Sequence, residues 1–240
     1  MVVPVRLVLV PGTRFSTALW EPYRALLPDV EVVSVDLPGH GARAGEPFST
    51  AAARAVIEQA VAGRAPGQRV VVAGHSLGGY VALLWAHDAE SPPDALVLMG
   101  ASADPSSRWS VLYRGFARLL PLVGADRMAR GLNALMRILG ARGAYASALP
   151  DGTAYAALPA AWTAVITECR PQLLADLACP VVLANGRYDQ MRAHVGRYAA
   201  HCRRPFVVTV PGATHLFPVT HPEQVADVLR TAVRLARRAS

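Results

Sequence analysis

A serine stands between glycines in Gly74-His75-Ser76-Leu77-Gly78, directly after the apolar run Val70–Ala73 and before the Ala/Leu-rich stretch Tyr80–His87. A hydroxyl raised on a strand-to-helix corner is the geometry of a nucleophile elbow, in which the neighbours must be small because any Cβ would strike the adjacent strand or helix. The plain alternative is a capping serine in a tight turn. A serine attacks a carbonyl only when a base takes its proton, and a carboxylate must orient that base. His215 in "VPGATH" and Asp189 in "NGRYD" supply both downstream. His221 competes as base, but "THPE" reads as a helix start with Thr220 as cap, Pro222 in the first turn and Glu223 reaching back. Asp104 competes as acid. A helix N-terminus behind Ser76 places a positive dipole end there, with the Leu77 N–H facing developing negative charge.

The elements that must position these groups are legible as short, mostly Val-rich runs at Val5–Val10, Val30–Val35, Val70–Ala73, Ala95–Met99, Pro180–Ala184 and Phe206–Val210. None alternates cleanly between polar and apolar, which suits a parallel sheet covered on both faces. Helical stretches at Leu19–Leu27, Thr50–Ala62 and Tyr80–His87 separate the early runs, so an α/β domain with right-handed crossovers is expected. Polar residues gather just after the strands, where open parallel sheets bind ligands. Between Ala103 and Cys179 no strand is evident, and the segment is too long for a structureless loop. Trp109, Leu112, Tyr113, Phe116, Leu119 and Leu120 fall at helical spacing, as do Leu132, Leu135, Met136 and Leu139. The division expected is a core of 1–103 and 180–240 with a helical cap inserted over 104–179.

Composition narrows the partners. The 240 residues carry a formal charge of +7, yet all 24 basic residues are Arg and they are scattered, so a solvated surface rather than nucleic acid is expected. Cys169, Cys179 and Cys202 form neither a disulfide framework nor a zinc spacing. No cluster has metal-ligand spacing and no Gly-rich turn forms a dinucleotide or phosphate motif, so neither a metal nor a cofactor is expected. No run approaches a membrane span or a signal peptide, which points to a cytoplasmic protein, monomer or homodimer, without membrane contact.

Taken together, "PGT" with Trp20, "DLPGHG" at 36–41, "GHSLGG" at 74–79, "NGRYD" at 185–189 and "GATH" at 212–215 resemble the α/β-hydrolase superfamily, in its capped serine-hydrolase branch. The resemblance spans nearly the whole chain. It implies a mostly parallel twisted sheet of about six strands, flanked by helices, since the superfamily's first two strands are missing here. It implies Ser76 as nucleophile, Asp189 as acid and His215 as base, in the family's chain order. It also implies that the backbone N–H of Thr13 completes an oxyanion hole with that of Leu77. The family usually has His-Gly where this chain has Pro11-Gly12; the donor is backbone, so the turn rather than the side chain matters. Within the turns, Asp36 and His40 are expected to be structural, and His75 to pack with its side chain away from Ser76.

The chemistry implied is cleavage of a small-molecule carboxylic ester or thioester with an apolar or aromatic acyl or alcohol part, through an acyl-enzyme that needs a neutral His215. Acyl transfer, thioester cyclisation and C–C bond cleavage by the same three residues are the alternatives, together with a non-enzymatic receptor. Arg14, Trp109, Tyr113, Phe116, Trp162 and Leu216 are the candidates for the substrate pocket. Arg187 is a further candidate to meet a substrate carboxylate.

Overall fold

A computed structural model describes residues 3–105, 125–138 and 156–238. Six strands form one sheet in the order β2-β1-β3-β4-β5-β6, with every neighbouring pair parallel. They are β1 (Val5–Val10), β2 (Glu31–Ser34), β3 (Arg69–His75), β4 (Ala95–Met99), β5 (Val181–Gly186) and β6 (Pro205–Val210). Among the described residues the helices are α1 (Glu21–Leu26), α2 (Thr50–Ala62), α3 (Leu77–Asp88), α4 (Ala125–Ile138), α5 (Leu158–Glu168), α6 (Val195–His201), α7 (Phe217–Thr220) and α8 (Pro222–Arg237).

Both faces of the sheet are covered, as the unbroken apolar runs require. Side chains alternate along each strand. Leu7 and Leu9, Val71 and Ala73, Val97 and Met99 face one layer, where α8 brings Val225, Leu229, Ala232 and Val233. Val8 and Val10, Val70 and Val72, Leu96 and Leu98 face the other, where α2 and α3 pack with α5 and Tyr198 of α6. The edge strand β6 departs from this pattern: its outer residues are more exposed, and Val207 stands half-open to solvent. Among the described residues nothing pairs with β6 on its far side, which leaves it an edge strand.

One expectation is corrected at the start of α8, the capping role of Thr220, while Pro222 stands in the first turn as expected. Thr220 is the last residue of α7 rather than a cap; its hydroxyl donates to the Leu216 carbonyl and meets His221 Nδ1. His221 occupies the N-cap, without a side-chain cap bond, and Pro222 opens the helix. Asp36 does hold its turn, accepting from the Thr17 N–H at 2.7 Å and the Ala42 N–H at 2.9 Å. His40 is buried with Nδ1 at 3.0 Å from the Pro38 carbonyl, and burial lowers its pKa. The three cysteines are free thiols; burial pushes Cys179 up to about 11 and Cys202 to about 12. Helix is found over Ala125–Ile138 and Leu158–Glu168, within the segment expected to form the cap. No helix among the described residues is long and apolar enough to cross a membrane.

Candidate active site

Parallel pairing delivers the carboxyl ends of β1, β3, β5 and β6 to one edge of the sheet, and the loops that follow them meet there. Ser76 occupies the turn between β3 and α3 with φ +52° and ψ −118°. Its own N–H is anchored to the Met99 carbonyl at 2.8 Å. Such a backbone is unfavourable for any residue but glycine and persists only when the surroundings enforce it. The enforcement is visible: a Cβ on Gly74 would run into the Gly78 carbonyl, and one on Gly78 into the Val10 carbonyl of the adjoining strand. The strand, the turn and the helix therefore cross at distances only hydrogen allows.

His215 sits on the loop after β6 and lies over this turn. Its Nε2 is 3.0 Å from Ser76 Oγ, and its Nδ1 is 3.0 Å from Asp189 Oδ1. Asp189 is buried after β5, and the same Oδ1 accepts the Met191 N–H at 2.8 Å. An Nδ1–H donated to the carboxylate leaves the Nε2 lone pair facing the serine hydroxyl, the arrangement needed to remove its proton. Asp104 lies elsewhere: its carboxylate is buried and ion-paired with Arg197 at 2.6 Å. His221 is engaged with Thr220.

His75 has the structural role expected of it, but not the expected direction away from Ser76. It is buried, but its ring borders the cavity beside Ser76, and its centroid is 4.9 Å from that of His215. Its Nε2 is 2.9 Å from the His215 carbonyl oxygen, which can only accept, so Nε2 carries the proton. Burial first, and then the neighbouring His215, lower its pKa to about 3. The ring is thus a neutral strut holding the main chain of the His215 loop. Its position beside Ser76 in the motif was a signal for proximity; the reach back to residue 215 had none.

A cavity of about 200 Å³ opens at Ser76. Of the pocket candidates, Arg14, Trp162 and Leu216 line it, whereas Trp109, Tyr113 and Phe116 lie outside the described residues. Arg187 is exposed and does not border it. Arg14 has φ +74°, and it and Ser76 are the two non-glycine residues with positive φ among those described. Both line the same cavity. Gln190 and Met191 also line it; they follow Asp189 directly, a proximity the sequence reading left unused. Thr13 and Leu77 meet Ser76 along a narrower arm of the same space, and neither N–H donates to a protein acceptor among the described residues. Two open donors beside a serine and the N-terminus of α3 can receive a negative oxygen. Among the described residues no group of three or more His, Cys, Asp or Glu could hold a metal ion.

The alpha/beta hydrolase family profile matches residues 7–228. No curated protein sequence matches the chain. Solved structures that resemble it include a thermophilic esterase from Thermogutta terrifontis, at 24% identity and TM-score 0.73 over 98% of this chain and 91% of that one. ClbQ from the colibactin NRPS/PKS pathway is similar at 20% identity and TM-score 0.70, over 99% and 100% of the two chains. MenH from S. aureus is similar at 16% identity and TM-score 0.75, over 98% and 95%. At these identities the likeness is one of fold.

Proposed function

The chain belongs to the alpha/beta hydrolase family, and from that premise we propose that it is a serine hydrolase cleaving a carboxylic ester or thioester through an acyl-enzyme on Ser76. The observation that carries the reading is the relay of two 3.0 Å contacts, Ser76 Oγ to His215 Nε2 and His215 Nδ1 to Asp189 Oδ1, on a serine of strained backbone.

Ser76 Oγ attacks the acyl carbonyl while its proton passes to His215 Nε2. Asp189 holds the imidazole and stabilises the imidazolium. The N–H groups of Thr13 and Leu77 receive the oxyanion; one such donor is commonly worth about 3 kcal/mol of transition-state stabilisation. The tetrahedral intermediate collapses, the bond to the leaving oxygen or sulfur breaks, and His215 returns the proton to it. Water then attacks the acyl-serine, giving its proton to His215 and releasing the acid and the free serine. A serine at this corner does not suit the superfamily's dehalogenase and epoxide-hydrolase chemistry, which needs a carboxylate nucleophile. The helices Ala125–Ile138 and Leu158–Glu168 serve in this reading as parts of a cap, with Trp162 of α5 lining the cavity at Ser76. The substrate is a small molecule.

Hydrolysis of p-nitrophenyl acetate by the wild type, Ser76→Ala and His215→Ala tests the reading. Steady release of p-nitrophenol by the wild type, lost in both variants, supports it. Equal rates in all three proteins would remove it.

A further inference from the structure

Two buried polar side chains meet outside the cavity at Ser76: Ser102, just after β4, and Asn185, within β5. The Gly100 N–H donates to the Ala184 carbonyl at 2.8 Å, so the chain leaving β4 is still tied to β5 beside Asn185. A buried polar group costs stability unless it is bonded, so each of the two needs a partner. Ser102 Oγ lies 3.0 Å from Asn185 Oδ1 and 3.2 Å from the Met191 carbonyl oxygen. The Met191 N–H in turn donates to Asp189 Oδ1 at 2.8 Å, the same oxygen that meets His215 Nδ1. We propose that Ser102 and Asn185 are positioning residues for Asp189, acting on it through Met191. This rests on the serine-hydrolase reading above.

Counting protons sets the direction of the chain. The Ser102 hydroxyl has one proton and cannot serve two acceptors. The Met191 carbonyl can only accept, whereas the Asn185 amide has a donor end and an acceptor end of nearly equal outline. Asn185 Nδ2 is buried with no hydrogen-bond partner. Turning the amide end for end resolves both problems without displacing a side chain. Its NH2 then donates to Ser102 Oγ, and the Ser102 proton goes to Met191. The amide oxygen takes the unpartnered place, and an under-used acceptor is more tolerable there than an orphaned N–H.

Met191 is thereby held at both main-chain groups, its carbonyl by Ser102 and its N–H by Asp189. The carboxylate depends on that second bond. Asp189 Oδ2 is buried without a hydrogen-bond partner, and Oδ1 carries both contacts. Apart from His215 itself, the Met191 N–H is the hydrogen-bond donor that orients the carboxylate among the described residues. Freed from Ser102, Met191 can shift, the carboxylate can swing, and the imidazole loses its tautomer and its aim at Ser76.

The test compares the full-length wild type, Ser102→Ala, Asn185→Ala and the double variant on p-nitrophenyl acetate, with fluorophosphonate labelling, urea unfolding and the downfield proton resonance of the His215 Nδ1–H. Ser102→Ala is expected to lower kcat about tenfold or more with KM unchanged, and to weaken that resonance. Asn185→Ala should act in the same direction and less strongly. In the double variant kcat should fall no further than in Ser102→Ala, because Asn185 acts through Ser102. If Ser102→Ala does not fold, Asn185→Ala carries the test with the same readouts. Folded variants that lose only stability, with kcat and the resonance of the wild type, overturn the positioning role and leave the serine mechanism standing. Losses in kcat that multiply in the double variant overturn the serial chain. A wild type that neither labels nor turns over ester would overturn the serine-hydrolase reading, and this inference with it.

Discussion

At the scale of single residues, two buried aspartates offered themselves as the acid, and geometry separates them. Asp189 contacts His215, while Asp104 pairs with Arg197. Asp189→Asn is expected to lower kcat on the order of 10⁴-fold, because the amide favours the wrong imidazole tautomer. Asp104→Asn should keep kcat and lose about 1–2 kcal/mol of stability, Arg197 being half exposed and its pairing screened accordingly. Urea unfolding beside steady-state kinetics distinguishes the two outcomes. His75 carries a separate signature. Its folded-state pKa of about 3 lies below the roughly 6.5 of an unfolded histidine, so in acid the unfolded chain binds a proton the native chain refuses. The His75 contribution to stability is therefore present above about pH 6.5 and is lost as pH falls towards about 3. His75→Gln should flatten that slope in unfolding curves taken across the interval, with the buried His40 leaving a smaller residual slope of the same sign. An unchanged slope would contradict the neutral-strut reading.

At the scale of elements, the corner between β3 and α3 is the most tightly specified part of the chain. Gly74→Ala drives a methyl into the Gly78 carbonyl, which the helix start cannot vacate. A loss of about 3 kcal/mol or more, or failure to fold, is expected from denaturant titration. This corner was legible because its constraints are local: an apolar run, two glycines and a helix start lie within a dozen residues. The strands were legible for the same reason, and β1 and β4 match their apolar runs residue for residue. The junction before α8 was misread because Thr220 closes α7, its hydroxyl bonding back to the carbonyl of Leu216 at the N-cap of that helix and meeting His221 Nδ1. The role of His75 was hidden for the opposite reason. Its partner, the carbonyl of residue 215, is remote in sequence and main-chain groups leave no trace in residue type.

At the scale of the whole molecule, one parallel sheet brings Thr13, Ser76, Asp189 and His215 to one edge from four separate loops. The last of these starts at the sheet's outer strand and must be drawn inward to Ser76. Besides the His215 side-chain contacts, ties among the described residues include Tyr188 N–H to Ala213 O, His75 Nε2 to His215 O, and Tyr23 OH to Pro218 O at 2.7 Å. Tyr23→Phe should cost about 1 kcal/mol of stability in urea unfolding by removing one buried tie. The chain order serine, acid, base and the strand-end motifs already implied which loops converge; the ties that close the convergence belong to the folded molecule. The central claim is that this convergence makes Ser76 a covalent nucleophile. Intact-mass spectrometry after incubation with a fluorophosphonate tests it most directly. A single adduct is expected, located on the peptide carrying Ser76 and missing in Ser76→Ala. A folded wild type that acquires no adduct, or one that carries it on another residue, would contradict the account.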